Sequence, residues 1–93
     1  MATLTERKRY REAVLHALYT AVADNRTELP GEGLRAQLGM PDADLAAACG
    51  YLADEGLVTV EWTSHGTPAT VALTHEGLRR MEAEEEQGQA ERG

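Results

Sequence analysis

Leu52-Ala53-Asp54-Glu55-Gly56-Leu57-Val58-Thr59-Val60-Glu61-Trp62 is the stretch in which the chain changes period. Upstream of it the apolar residues keep helical spacing, with Leu45, Ala48, Cys49 and Leu52 at i, i+3, i+4 and i+7. Beyond Gly56, β-branched and aromatic residues dominate and the period drops to two, the mark of a strand. Asp54-Glu55-Gly56 therefore closes a helix, and a strand over Leu57–Trp62 follows. A second alternation, Ala69-Thr70-Val71-Ala72-Leu73, lies across the turn-forming segment Thr63-Ser64-His65-Gly66-Thr67-Pro68. Two strands joined by a Gly-containing loop predict a hairpin. The fold class is then α+β and mainly α, because every other periodic segment is helical.

Working toward the N-terminus, Pro41 with Asp42 starts the helix that ends at Gly56. Before it, Leu34 and Leu38 mark a short helix with Gly39 as its C-cap. Thr27-Glu28-Leu29-Pro30-Gly31 reads as a connector. The first helix opens on a capping box, Thr3 with Glu6, and carries Tyr10, Val14, Leu18 and Val22 four residues apart, widened by Leu15 and Ala21. It ends near Asp24 and Asn25, both poor helix-interior residues. Downstream of the hairpin, Thr74 caps a last helix from about His75, with Leu78 and Met81 facing inward. The run Glu82-Ala83-Glu84-Glu85-Glu86 reads as a solvated helix end, and the polar residues from Gln87 onward are expected to be disordered.

Ninety-three residues suit one domain with one core. Apolar residues make up 42%, but fifteen of them are Ala and there is no Phe or Ile, so the core must be built from Leu, Val and small side chains. The longest apolar run is Leu45 to Cys49, too short for a membrane span, and no apolar stretch follows the N-terminus to suggest a secretory signal. One Cys excludes an internal disulfide and fits a reducing, cytoplasmic setting. The three His residues are isolated, and no Cys/His ligand spacing, phosphate-cradling Gly loop or Ser elbow is present. Nothing here calls for a catalytic residue, metal or cofactor, and the chain is read as a non-enzyme.

Leu34-Arg35-Ala36-Gln37-Leu38-Gly39-Met40-Pro41 resembles the second helix and turn of bacterial winged helix-turn-helix transcription regulators. Leu52-Ala53-Asp54-Glu55-Gly56-Leu57-Val58 is similar to the end of their recognition helix where it runs into the wing. Leu73-Thr74-His75-Glu76-Gly77-Leu78 looks like the stretch that closes their hairpin and starts the last helix. The three pieces cover residues 34 to 78 in the family's order. The resemblance implies a winged helix: three helices, a two-stranded hairpin wing and a C-terminal helix, as a single domain over 1–86 with a polar tail over 87–93. It also implies DNA binding, with the third helix in the major groove and the wing along the backbone, and a homodimer formed through the first and last helices. Eight Arg to one Lys, with abundant Ala, suggest a high-GC bacterial genome.

Charge argues against the family's usual ligand. The net charge is −7, and from Ala36 to Leu78 there is no Lys or Arg but six acids: Asp42, Asp44, Asp54, Glu55, Glu61 and Glu76. Duplex affinity grows with the number of phosphates met by cations, and His65 at the wing tip adds at most one. The outward positions of the third helix are Asp42, Ala43, Asp44, Ala46, Ala47, Gly50 and Tyr51, none suited to the bidentate Arg–guanine or Asn–adenine contact. The two Asp residues suit the helix dipole instead. A small-residue face with an aromatic at its edge favours a helix or loop of another protein. The candidate partner surface is therefore Asp42, Asp44, Ala47, Gly50, Tyr51, Trp62 and His65, engaged by a regulatory protein partner. Trp62 reads either as packing across the hairpin or as an exposed anchor, since Trp is enriched at interface hot spots.

The alternative places phosphate contacts on Arg7, Lys8, Arg9 and Arg11, four cations within five residues. The bland reading of that cluster is a solvated helix face, partly paired, as Lys8 with Glu12. Substituting these four cations together by Ala is expected to abolish DNA binding and leave protein binding on the other surface largely intact. Cys49 lies on the inward stripe and reads as a buried structural thiol, and His75 as a surface residue.

Overall fold

In the computed structural model, which describes residues 3–92 and the side-chain surroundings of 3–88, the first helix is α1, Leu4–Ala23. Its capping box forms as the sequence predicts. Thr3 Oγ1 accepts the Glu6 N–H at 3.1 Å, and the Glu6 carboxylate accepts the Thr3 N–H at 3.3 Å. Those bonds to Thr3 hold the Glu6 carboxyl below its ordinary pKa. At the other end Asn25 takes a positive φ of 65°. Arg26 N–H then reaches the Ala21 carbonyl and Asn25 N–H the Val22 carbonyl, which is the Schellman closure, with Asn in the left-handed position usually given to Gly.

Two short helices follow: α2, Gly31–Leu38, ended by Gly39 at φ 64°, and α3, Asp42–Asp54, begun after Pro41. The third helix ends as the first does. Gly56 at φ 76° lets Leu57 N–H reach the Leu52 carbonyl and its own N–H reach Ala53. All four inward positions of α3, Leu45, Ala48, Cys49 and Leu52, are buried.

The sheet differs from the two-stranded hairpin expected, because it has three antiparallel strands. β2 (Val58–Trp62) and β3 (Pro68–Leu73) form the hairpin, and Leu29–Pro30, read above as a connector, is a third strand, β1, on the far side of β3. Leu29 pairs with Val71 and Pro30 with Thr70. Leu29 is driven there by burial, since its side chain is in the core. Pro30, which has no N–H to give, is tolerated because β1 is an edge. β2 and β3 pair Val58 with Leu73 and Val60 with Val71, with a bulge between Glu61 and Trp62. The hairpin tip is tied by Thr63, whose hydroxyl accepts the His65 and Thr67 N–H groups and lies 2.8 Å from the Thr67 hydroxyl.

α4, His75–Arg92, closes the fold. Thr74 Oγ1 accepts the Gly77 N–H at 3.1 Å and donates to the Gly56 carbonyl at 2.6 Å, while Thr74 N–H donates to the Leu57 carbonyl. One threonine thus binds the start of α4 to the end of α3. The helical backbone runs past Gln87, where composition predicts loss of order, to Arg92. Gln, Ala, Glu and Arg are all good helix formers, and Gly88 alone opposes them, by about 1 kcal/mol. Gly93 lies outside the described residues. The core is one cluster of Leu, Val and small residues, led by Val14, Leu15, Leu34, Cys49, Leu52 and Val71. No helix is long and apolar enough, among the described residues, to cross a membrane.

Candidate functional site

Arg7 and Arg11 stand four apart on α1 and so share one face of it. On α3, Asp44, Ala47, Ala48 and Tyr51 share one face by the same rule, at i, i+3, i+4 and i+7. Packing of α1 against α3 turns those two faces toward each other. Together with Tyr10 they line a small cleft of about 110 Å³. The Arg11 guanidinium lies 4.0 Å from the centroid of the Tyr51 ring, a cation–π contact. Tyr51 is 48% exposed, as an outward-pointing residue should be.

The two surfaces that the sequence reading keeps apart are thus partly one. Arg7 and Arg11, assigned above to phosphate, share the cleft with Asp44, Ala47 and Tyr51, assigned to a protein partner. The two surfaces therefore meet at Arg7, Arg11, Asp44, Ala47 and Tyr51, while Lys8, Arg9, Asp42, Gly50, Trp62 and His65 lie outside that cleft. The spacing within each helix was visible in the sequence. The angle at which α1 crosses α3 was not, because periodicity reports a face and never its neighbour.

The other candidates stand elsewhere. Asp42 pairs with Arg35 of α2 at 3.1 Å, in a shallow depression shared with Gly31, Thr67 and Pro68. Both side chains of that pair are about half exposed, so it contributes little to stability. Gly50 opens on free space, where an added Cβ would meet nothing within 4 Å. Trp62 is 46% exposed at the bulge end of β2, and His65 is exposed in the turn beyond it. Lys8 and Arg9 are exposed on α1 outside the cleft lining. Among the described residues the ion pairs are Arg35–Asp42 and Arg80–Glu84, so the Lys8–Glu12 pair expected from spacing is not formed.

Cys49 is fully buried, and burial pushes its thiol up to about 11, far from the thiolate that redox or nucleophilic chemistry needs near neutrality. Among the described residues no group of three or more His, Cys, Asp or Glu is arranged to hold a metal ion. A larger, open groove of about 750 Å³ runs between α1 and α4, walled by Val22, Leu78 and Met81. Its polar groups include Tyr19 and Glu85, already bonded to each other at 2.5 Å. Glu85 is therefore engaged in the fold, where the sequence reads Glu82 to Glu86 only as a solvated run. Comparison with family models, with curated proteins and with solved structures found no match to this chain.

Proposed function

We propose that this chain is a winged-helix-like regulatory module without catalytic activity, whose α3 and hairpin surface binds another protein instead of reading bases. One observation carries the reading: the solvent face of α3, formed by Ala43, Ala47, Gly50 and Asp54 beside the exposed Tyr51, holds small residues and one acid and no cation. The hairpin adds Glu61 and an exposed Trp62, again with no Lys or Arg. A groove-reading helix needs cations to neutralise phosphates and long polar side chains to reach base edges. The half-exposed Tyr51 and half-exposed Trp62 are of the residue types enriched at protein contacts. The order of helices, hairpin and closing helix supports the winged-helix part of the reading, with β1 as the short strand that flanks the wing. A homodimer through the open apolar groove between α1 and α4 belongs to the same reading, as does a cytoplasmic setting.

A second reading, DNA binding through Arg7, Lys8, Arg9 and Arg11, draws support from the stacking of Arg11 on Tyr51, which brings a cation to the edge of α3. Amide shifts followed while a mixed-sequence duplex is titrated in at low salt separate the two. On the proposed reading the amides of residues 43–54 and the Trp62 indole N–H do not move. Shifts centred on residues 7–11 and on the α3 residues that share their cleft, Asp44, Ala47 and Tyr51, favour the second reading, and shifts that extend across the hairpin to Trp62 contradict the first.

A further inference from the structure

The cleft between α1 and α3 has the parts of a receptor for a single carboxylate. Its α1 wall carries two guanidiniums, and among the described residues neither Arg7 nor Arg11 lies within ion-pair distance of an acid. The Arg11 guanidinium carbon lies over the Tyr51 ring, 4.0 Å from its centroid. The N–H donors of a guanidinium lie in its plane, so a stacked Arg keeps its edge for a bidentate acceptor. The opposite wall holds Asp44, which would repel a doubly charged group and leaves room for one negative charge. The volume, about 110 Å³, suits a carboxylate with its methylene and is far too small for a nucleotide.

The rim is apolar. Leu4, 82% exposed, stands at i to Arg7 at i+3 and Arg11 at i+7, so it continues the same stripe of α1. Ala47 and the open part of the Tyr51 ring continue it on α3. A uniformly charged polymer matches this poorly: beyond two arginines it would run onto Ala43, Gly50 and Asp54, which offer it no cation. An acidic and apolar polypeptide segment matches both halves.

From this arrangement we infer that the α1–α3 cleft takes an Asp or Glu side chain of an acidic, leucine-bearing segment of a partner protein between Arg7 and Arg11, with the segment's apolar side chains on Leu4 and Tyr51. The inference rests on the protein-binding reading above and names its partner's chemistry.

The test is fluorescence anisotropy with a short labelled peptide of alternating Asp, Glu and Leu, beside a control with Asn and Gln in place of the acids. The acidic peptide binds and the amide control does not. Arg7→Gln with Arg11→Gln weakens binding about tenfold or more, the loss expected for a hydrogen bond to a charged group. Lys8→Gln with Arg9→Gln, on the same helix but outside the cleft, weakens it less than about fivefold, as for exposed charges. Equal losses from the two double variants would mean diffuse attraction and would overturn the inference. Unchanged binding in Arg7→Gln/Arg11→Gln would place the peptide elsewhere, overturning the inference while leaving the protein-binding reading in force. Failure of the peptide with tight binding of a labelled duplex would overturn both, and failure of both probes overturns the inference alone.

Discussion

The Tyr19 hydroxyl donates to the Glu85 carboxylate across the α1–α4 seam. That bond first, then partial burial and the negative charges of Glu85, Glu82 and Glu86, raise the phenol from its ordinary value of 10 to about 12. The sign follows from linkage. The folded state binds this proton more tightly than the unfolded chain, so the contribution is complete below pH 10 and is lost as pH rises through about 12. The difference in Tm between the wild type and Tyr19→Phe is therefore expected to shrink as pH is raised from 10 to 12. Tyrosinate absorbance should show the highest-pH step disappearing in the same variant. A difference in Tm that is constant over that range would show that the phenol does not hold α4 in this way. Single residues of this kind were beyond the sequence: Tyr19 and Glu85 lie on different helices, and no spacing rule joins them.

Between elements, the corner where α3 ends and α4 begins is tightly specified. Gly77 is buried in the first turn of α4, and a Cβ there would stand 2.1 Å from the Leu57 carbonyl oxygen, closer than backbone can allow. Thr74 bonds across the same corner to both Gly56 and Leu57. Gly77→Ala is expected to destabilise the fold by about 1–3 kcal/mol through overpacking, despite the better helix propensity of Ala. Urea denaturation measures this, and an unchanged or raised midpoint would contradict the close approach. Helix ends were legible in the sequence because Asn25, Gly39 and Gly56 supply the left-handed backbone that stops a helix. The hairpin was legible from its change of period. β1 was not. Two residues cannot show an alternation, Pro30 reads as a breaker, and the partner strand lies far along the chain.

For the molecule as a whole, the distribution of charge decides what it meets. Four cations crowd the start of α1, none lies between Ala36 and Leu78, and the sum is −7. Arg7, Arg11, Asp44, Ala47 and Tyr51 were singled out in the sequence, whereas Tyr10 and Ala48, which complete the cleft, read there as inward residues, and the exposure of Tyr51 followed from its helical register. The joining of Arg11 to Tyr51 did not, because it depends on how two helices cross and not on the pattern along either. The central claim is that the α3 and hairpin face is a protein surface. Fluorescence anisotropy of a labelled mixed-sequence duplex, titrated with this protein at ~50 mM and again at ~200 mM salt, where phosphate-driven binding falls steeply, tests it most directly. The account expects no binding at either salt concentration. Tight binding at the lower one that collapses at the higher one would contradict the account and favour DNA binding through Arg7, Lys8, Arg9 and Arg11.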